Sequence, residues 1–406
     1  MEQITSALPS SVSPALTFEV TATQGRARAS KMTLPHFVAE TPMFMPVGTK
    51  GTVKGLTSQQ LVDLNCHVIL GNTYHLEERP GSDLVQELGG LHKFIDWPRG
   101  MLTDSGGFQM VSLLHLAEIT EEGVQFQSPV DGSLMMLTPE RSIAIQNALG
   151  ADIIMALDDV VSSVNTSPER FEEATHRTTR WIDRCIKAHA RSHEQNLFAI
   201  VQGGLNKDLR AISIKDLSAR NLPGYAIGGL AGGESKDDFW RVVAQCTAPG
   251  TGLPADKPRY VMGVGYPLDI VICSALGADM YDSVYPTRTA RFGAALVPSG
   301  VMKLKNVGFA EDFRPLDEEC SCMTCKKYTR AFLHNLVAKG IPFAAMLVSL
   351  HNIAYTQRLT QQIRSAITEQ RFPEFVRSFV RLQYPIESNV PKWVRDALAE
   401  CDIPLT

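Results

Sequence analysis

The chain has 406 residues, 44% of them hydrophobic and 20% charged, with a formal net charge of −4. That length accommodates two or three domains, or one large barrel with additions, and the charge excludes a bulk polycation, so any nucleic-acid surface must be a local patch. No apolar run reaches the roughly 18 residues needed to span a bilayer, there is no secretory leader, and the eight cysteines form no evenly spaced framework; a reducing, cytoplasmic setting is expected.

Residues 1–16 are rich in Ser and Pro without a period and read as a loose tail. Leu16-Thr-Phe-Glu-Val-Thr and Lys31-Met-Thr-Leu alternate on either side of Gln24-Gly-Arg-Ala-Arg. That pattern predicts a β-hairpin ahead of the main fold. Eight short apolar runs follow, most ending in glycine or a polar residue. They are Phe44–Gly48, Val68–Asn72, Gly100–Asp104, Asp152–Asp158, Leu197–Gln202, Gly224–Gly229, Tyr260–Gly263 and Met280–Val284. Helical stretches separate most of them. Thr57-Ser-Gln-Gln60 has capping-box form, and Thr138-Pro139 and Ser167-Pro168 put proline at a first helical position. Helices are predicted over residues 168–192, 207–221, 235–248 and 268–276. Eight alternations over roughly 240 residues predict an α/β fold, a (β/α)₈ TIM barrel. An open doubly wound sheet is the alternative.

In a barrel, active sites lie at the carboxyl ends of the strands. Asn72, Asp104, Asp158, Gln202, Gly229 and Asp282 would then share one mouth. Gly106-Gly107, Gly203-Gly204, Gly228-Gly229 and Gly232-Gly233 sit beside them, where backbone N–H groups can approach a ligand. Strand ends favour Asp, Asn and Gly as turn formers in any case, so the convergence carries the signal rather than any single residue. Asp282 stands in Gly277-Ala-Asp-Met-Tyr-Asp-Ser-Val-Tyr-Pro-Thr-Arg-Thr-Ala-Arg291, with Arg288 and Arg291 close behind it. Two acids, Asp104 and Asp282, suit chemistry at an anomeric carbon, one as nucleophile and one moving a proton. Such a mouth could belong to a sugar hydrolase. Gln202, Asp158 and glycine backbone suit the edge of a purine-like base instead.

Past the barrel, Cys320-Ser-Cys-Met-Thr-Cys325 supplies three thiolates and Leu350-His-Asn a histidine. Cys320, Cys322, Cys325 and His351 would close a tetrahedral Zn²⁺ site with no open position, hence a structural one. Lys303, Lys305, Lys326, Lys327 and Arg330 lie nearby and, with Arg288 and Arg291, make a phosphate-facing patch. Cys66, Cys185, Cys246 and Cys273 fall in or beside helical stretches and are expected in the core. Cys401 is uninformative. The expected organisation is a tail (1–16), a catalytic barrel with its hairpin (17–300), a zinc-binding subdomain (301–355) and a helical segment (356–406).

Several of these motifs resemble the tRNA-guanine transglycosylase family, and within it the catalytic subunits of the eukaryotic, queuine-using branch. The resemblance covers nearly the whole chain after the first sixteen residues. It rests on Phe44-Met-Pro-Val-Gly, Gly71-Asn-Thr-Tyr-His-Leu, Leu102-Thr-Asp-Ser-Gly-Gly-Phe-Gln, Val201-Gln-Gly-Gly, Ala226-Ile-Gly-Gly-Leu, Pro286-Thr-Arg-Thr-Ala-Arg and the Cys-x-Cys-x₂-Cys…His set. It implies exchange of guanine for queuine at position 34 of tRNAs with a GUN anticodon. It makes Asp282 the nucleophile at ribose C1′ and Asp104 the proton acceptor and donor. Asp104, Ser105, Gly106, Gly107, Asp158, Gln202 and the Gly229–Leu230 backbone would bind the base, with Phe108 and Met262 sandwiching it. Gly263, Val264, Gly265, Tyr266, Pro267, Leu268 and Asp269, with Thr287, Arg288, Thr289, Ala290 and Arg291, would contact the RNA. Asp279 is the rival for the nucleophile's place. Phe108 stands where the bacterial branch usually has a tyrosine, and Val160 and Gly232 where it has a cysteine and a valine. A homologous noncatalytic subunit as partner, and association with the mitochondrial outer surface, are further implications. Two rival readings are a nucleoside or sugar hydrolase and a noncatalytic tRNA-binding subunit.

Overall fold

The structure, a computed structural model, describes residues 8–108, 118–127, 132–163 and 167–405. Eight parallel strands close into a barrel, paired in chain order, with the last returning to the first. They are β1 (Met43–Gly48), β2 (Val68–Gly71), β3 (Gly100–Thr103), β4 (Ile153–Met155), β5 (Asn196–Val201), β6 (Gly224–Ile227), β7 (Arg259–Val261) and β8 (Met280–Ser283). All eight predicted strands form, each within a few residues of the expected bounds. The open-sheet alternative is excluded by the β8–β1 and β3–β4 pairings.

Side chains alternate across each strand. Met43, Met45, Val68, Leu70, Leu102, Ile153, Met155, Phe198, Ile200, Ala226, Tyr260 and Met280 are buried together in one cluster inside the barrel. Phe44, Ile69, Met101, Ile154, Leu197, Ala199, Tyr225, Val261 and Tyr281 face outward into the helical layer. Period 2 then carries the inward rows on to Asn72, Asp104, Gln202, Met262 and Asp282. The residues of the mouth are the continuation of the barrel's own packing rows.

The predicted hairpin is part of a four-stranded antiparallel sheet, Ser10–Ser13, Leu16–Gln24, Ala27–Thr33 and Val38–Thr41. Ser10–Ser13 was expected in the loose tail but pairs with Leu16–Glu19 as an edge strand, and Ser11 Oγ reaches the Asp256 carbonyl at 2.6 Å. Backbone pairing and this bond order a segment whose composition carries no period; residues 1–7 lie outside the described residues. Leu16, Phe18, Val20 and Met32 of this sheet join the interior cluster and close the barrel floor. Arg28 completes the closure, donating to Asp279 from Nε at 2.8 Å and from Nη2 at 2.5 Å. At the same face Asp152 accepts from the backbone N–H groups of His36 and Met101, at 3.0 and 2.8 Å, tying the starts of three segments together.

Two elements escape sequence reading. A three-stranded sheet, Glu118–Ile119, Val124–Gln127 and Leu134–Leu137, is inserted between β3 and β4. Pro342–Thr368 is a single helix of 27 residues, so the boundary expected between residues 355 and 356 falls inside it. Its inner face buries Ser349, His351, Asn352, Thr356, Gln357 and Thr360, which breaks the apolar period. All but Ser349 of these polar groups bond to backbone carbonyls: Asn352 donates to those of Pro286 and Ala294, and Gln357 to that of Phe44 in β1. The helix thereby joins the Cys-rich segment to the barrel wall, since its Leu347 carbonyl also accepts from Thr324 Oγ1 at 2.7 Å.

Candidate active site and metal centre

The mouth is built from strand ends. Asp104 follows β3 and is buried. Its carboxylate accepts from Asn72 Nδ2 at 2.5 Å and from the Thr73 N–H at 2.9 Å, both just past β2. On β8, Asp282 accepts from the Tyr260 hydroxyl at 2.5 Å and the Gly263 N–H at 2.8 Å, both from β7 and its loop. None of the ion pairs among the described residues involves Asp282. Burial raises its carboxyl above the ordinary range; the Gly263 amide and the Tyr260 hydroxyl pull it back, and Asp104 opposes its ionisation in turn. The two acids therefore feel each other across one opening. Tyr260 is fully buried, and burial and the Asp282 charge hold its phenol well above its usual value, so it stays a donor.

Asp279, three residues earlier, is at the other end of the strand. It is 0% exposed, held by Arg28 and by the Arg259 N–H at 2.7 Å. It faces the floor, away from the mouth.

A second polar group lies beside the acids. Gln202 Nε2 donates to Asp158 at 2.6 Å, and Ser105 Oγ reaches the other Asp158 oxygen at 3.4 Å. Burial, offset by the Gln202 bond and reinforced by the Asp159 charge, pushes the Asp158 carboxyl up to about 7. Asp159 itself turns outward to Arg170 and Arg177. Gly229 has φ +67°, and a Cβ there would fall 2.5 Å from Gln202 Oε1, so only glycine fits. Gly106 and Gly107 are buried beside Ser105, whose hydroxyl accepts from the Gly107 N–H at 3.3 Å. Leu230 and Met262 are half-buried, and Phe108 leaves 57% of its surface exposed at the rim. The arrangement offers an acceptor pair, amide donors and an apolar ring to a planar polar ligand.

The predicted RNA-contacting residues divide by exposure. Gly263, Tyr266, Arg288 and Arg291 are exposed. Tyr266 lies against Tyr285, with ring centres 4.1 Å apart and planes tilted by 35°. Pro267, Leu268 and Thr289 are half-buried. Val264, Gly265, Asp269, Thr287 and Ala290 are buried, and Asp269 is paired with Lys236. Of the basic patch, Lys303, Lys305, Lys326 and Lys327 are exposed. Arg330 is spent internally on Asp312 and on the Pro315 and Leu316 carbonyls.

Cys320, Cys322, Cys325 and His351 are all buried, with their ligand atoms within 4.8 Å of one another. His351 Nδ1 stands 3.2 Å from Cys325 Sγ and 3.8 Å from Cys322 Sγ. The opposite ring nitrogen, Nε2, lies 2.8 Å from the Leu296 carbonyl, which can only accept, so Nε2 carries a proton and Nδ1 is the ring atom turned to the thiols as a potential ligand. The donor set could hold a metal ion, and its chemistry fits zinc. The Leu296 carbonyl orients the ring, and Asn352 Oδ1 accepts from the Leu296 N–H. The other five cysteines are free and buried, as expected for the four near helices.

Residues 23–385 match the family model described as Queuine tRNA-ribosyltransferase. The catalytic subunit of queuine tRNA-ribosyltransferase from Caenorhabditis elegans is 51% identical over 395 residues, 94% of this chain and 97% of that protein. Its counterpart from Schizosaccharomyces pombe is 50% identical over 402 residues, 97% of this chain and 98% of that one. The queuine tRNA-ribosyltransferase of Thermus thermophilus is 51% identical over 383 residues, 94% and 97% of the two chains. The chain belongs to the queuine tRNA-ribosyltransferase family. It is an enzyme of the pentosyltransferase class, a tRNA-guanine transglycosylase.

Within this transglycosylase the sequence alone singles out neither Thr73 nor Tyr260. The signal available for Tyr260 is its phase: period 2 puts it on the inward row with Met262, directly below the mouth. No helix among the described residues is long and apolar enough to cross a membrane.

Proposed function

We propose that this transglycosylase replaces guanine-34 of GUN-anticodon tRNAs with queuine through a covalent ester between Asp282 and ribose C1′. Asp282 attacks C1′, the C1′–N9 bond breaks, and guanine leaves with a proton from Asp104. Queuine then gives a proton to Asp104 and attacks the same carbon, so configuration is retained. The observation that carries this reading is a mouth carboxylate without an ion-pair partner among the described residues, facing a second acid. A cation bound to Asp282 would blunt it as a nucleophile.

Asp158, Gln202, Ser105 and the Gly229–Leu230 backbone read the base, and Phe108 and Met262 enclose it. An ionised Asp158 accepts from the N1–H and amino donors of guanine. Gly232 supports a pocket for a base larger than guanine, although a Cβ there would also press on Ser163 Oγ at 2.9 Å. The base must leave its stack to reach the mouth, so nucleotide 34 is flipped. Tyr266, Arg288 and Arg291 hold the flanking nucleotides by stacking and phosphate contacts. One Zn²⁺ per chain, held by Cys320, Cys322, Cys325 and His351, stabilises the subdomain without entering the chemistry. A homologous noncatalytic subunit and a cytoplasmic location, peripheral on the mitochondrial outer membrane, complete the proposal.

The test is incorporation of radiolabelled guanine and of queuine into tRNA, with and without the partner subunit. Exchange that fails with a non-GUN anticodon and with Asp282→Asn is expected. Release of free guanine with no incorporation would instead identify a hydrolase.

A further inference from the structure

Arg210, on the helix Lys207–Ser218, is 0% exposed. Its guanidinium spends its fork on three carbonyls: Nε on Gly204 at 2.8 Å, Nη1 on Val201 at 2.9 Å and Nη2 on Gly228 at 2.9 Å. None of the ion pairs among the described residues includes it. A buried charge without a counter-ion is costly. An apolar side chain would fill the volume more cheaply if packing were the whole purpose.

The Val201 carbonyl ends β5, and the Gly204 and Gly228 carbonyls belong to the loops that follow β5 and β6, the loops that carry Gln202 and Gly229. A trans peptide unit points its C=O and N–H in opposite directions. Arg210 takes the Gly228 carbonyl from the helix side of the barrel wall. The Gly229 N–H of the same peptide therefore points the other way, into the mouth. Among the described residues it meets no acceptor. Gln202 Oε1 crowds the Gly229 α-carbon, and the +67° φ of Gly229 keeps the turn in a form that a side chain would strain. The result is one amide donor beside Asp158 and Gln202, with a full positive charge directly behind it.

We propose that Arg210 is a positioning residue that fixes and polarises the Gly228–Gly229 peptide, so that the Gly229 N–H holds the purine O6 as the departing base becomes electron-rich. This rests on the base-exchange reading above. When Asp282 Oδ bonds to C1′ and the C1′–N9 bond breaks, the bonding pair stays on the base. The charge is shared between the imidazole ring and O6 until a proton arrives from Asp104. A donor aimed in advance at O6 lowers the energy of that state more than that of the bound nucleoside.

The test compares tRNA carrying guanosine at position 34 with tRNA carrying 6-thioguanosine, which keeps the N1–H and amino donors but has a poor acceptor at position 6. The full-length wild-type enzyme and Arg210→Lys are assayed for the single-turnover rate of adduct formation. In the wild type the guanosine tRNA should react about 10- to 100-fold faster, the span expected for one preorganised donor. Arg210→Lys keeps the charge but loses the fork; it should slow guanosine by a similar factor, leave 6-thioguanosine within about threefold, and so collapse the ratio. Equal slowing of both substrates, in a variant that melts near the wild type, would make Arg210 a mere staple and overturn the proposal. If the variant does not fold, the wild-type ratio alone decides: equal rates overturn the assignment. Absence of an adduct from either tRNA would bring down the exchange reading itself, and this assignment with it.

Discussion

Asp279 and Asp282 stand three residues apart at opposite ends of one barrel strand, and their surroundings differ in kind. Asp279 meets Arg28 through two nitrogens and the Arg259 N–H, with no exposed surface. Asp282 meets a hydroxyl and one amide, and its carboxyl is raised by burial. A carboxylate fully matched by arginine holds the N-terminal sheet to the barrel floor. A carboxylate with no ion-pair partner among the described residues sits at the mouth, where the proposed exchange needs a nucleophile. The division follows the barrel's polarity, with stability at the amino ends of the strands and chemistry at the carboxyl ends.

Substitutions can break that contrast. Asp282→Asn should lower kcat by about 10⁴-fold or more, as loss of a nucleophile does, and leave the melting temperature unchanged or higher, because a raised acid is removed. Asp279→Ala should do the reverse. It strands Arg28 in a buried site and should cost about 3–5 kcal/mol in denaturant unfolding, with activity per folded molecule nearly intact. A stable Asp279→Ala with no activity would mean that the two residues have exchanged roles.

Tyr260→Phe sharpens the contrast at the mouth. A hydrogen bond to a charged acceptor contributes about 1.5–3 kcal/mol, so kcat/KM should fall roughly 10- to 100-fold. The Tyr260 hydroxyl favours the ionised form of Asp282, so its loss raises that carboxyl further. The acid limb of the kcat/KM profile should then move to higher pH; an unmoved limb would separate Tyr260 from the nucleophile.

A smaller effect concerns Asp158. Its carboxyl stands at about 7 in the unliganded protein, so below that pH it is mostly protonated and cannot accept from N1–H and the amino group with both oxygens. KM for guanine should fall several-fold as pH rises through 7, and binding near pH 7 should release protons, measurable by calorimetry in buffers of different ionisation enthalpy. Asp158→Asn should abolish the proton release. Proton uptake on binding would contradict the assigned state.

Much of this was legible in the residues. The barrel strands announced themselves as apolar runs closed by Asp104, Gln202 or Asp282, because a strand buried on both faces has few ways to be written. Cys320, Cys322, Cys325 and His351 were legible because thiolate spacing is local. The Pro342–Thr368 helix was not, since its buried Asn352 and Gln357 look solvent-facing until the barrel carbonyls they satisfy are in place. Arg210 and Arg330 mislead the same way: an arginine in a helix reads as surface, and only tertiary structure reveals the carbonyls around it. Tyr260 is the converse, a residue that reads as core and carries a hydroxyl aimed at Asp282.

The most direct measurement is intact mass, under denaturing conditions, of the enzyme mixed with guanosine-34 tRNA in the absence of free base. The account predicts a protein–RNA species lacking guanine, with the link mapping to Asp282 and absent from Asp282→Asn. A wild-type enzyme that exchanges base with no such species, or a link at any other residue, would contradict it.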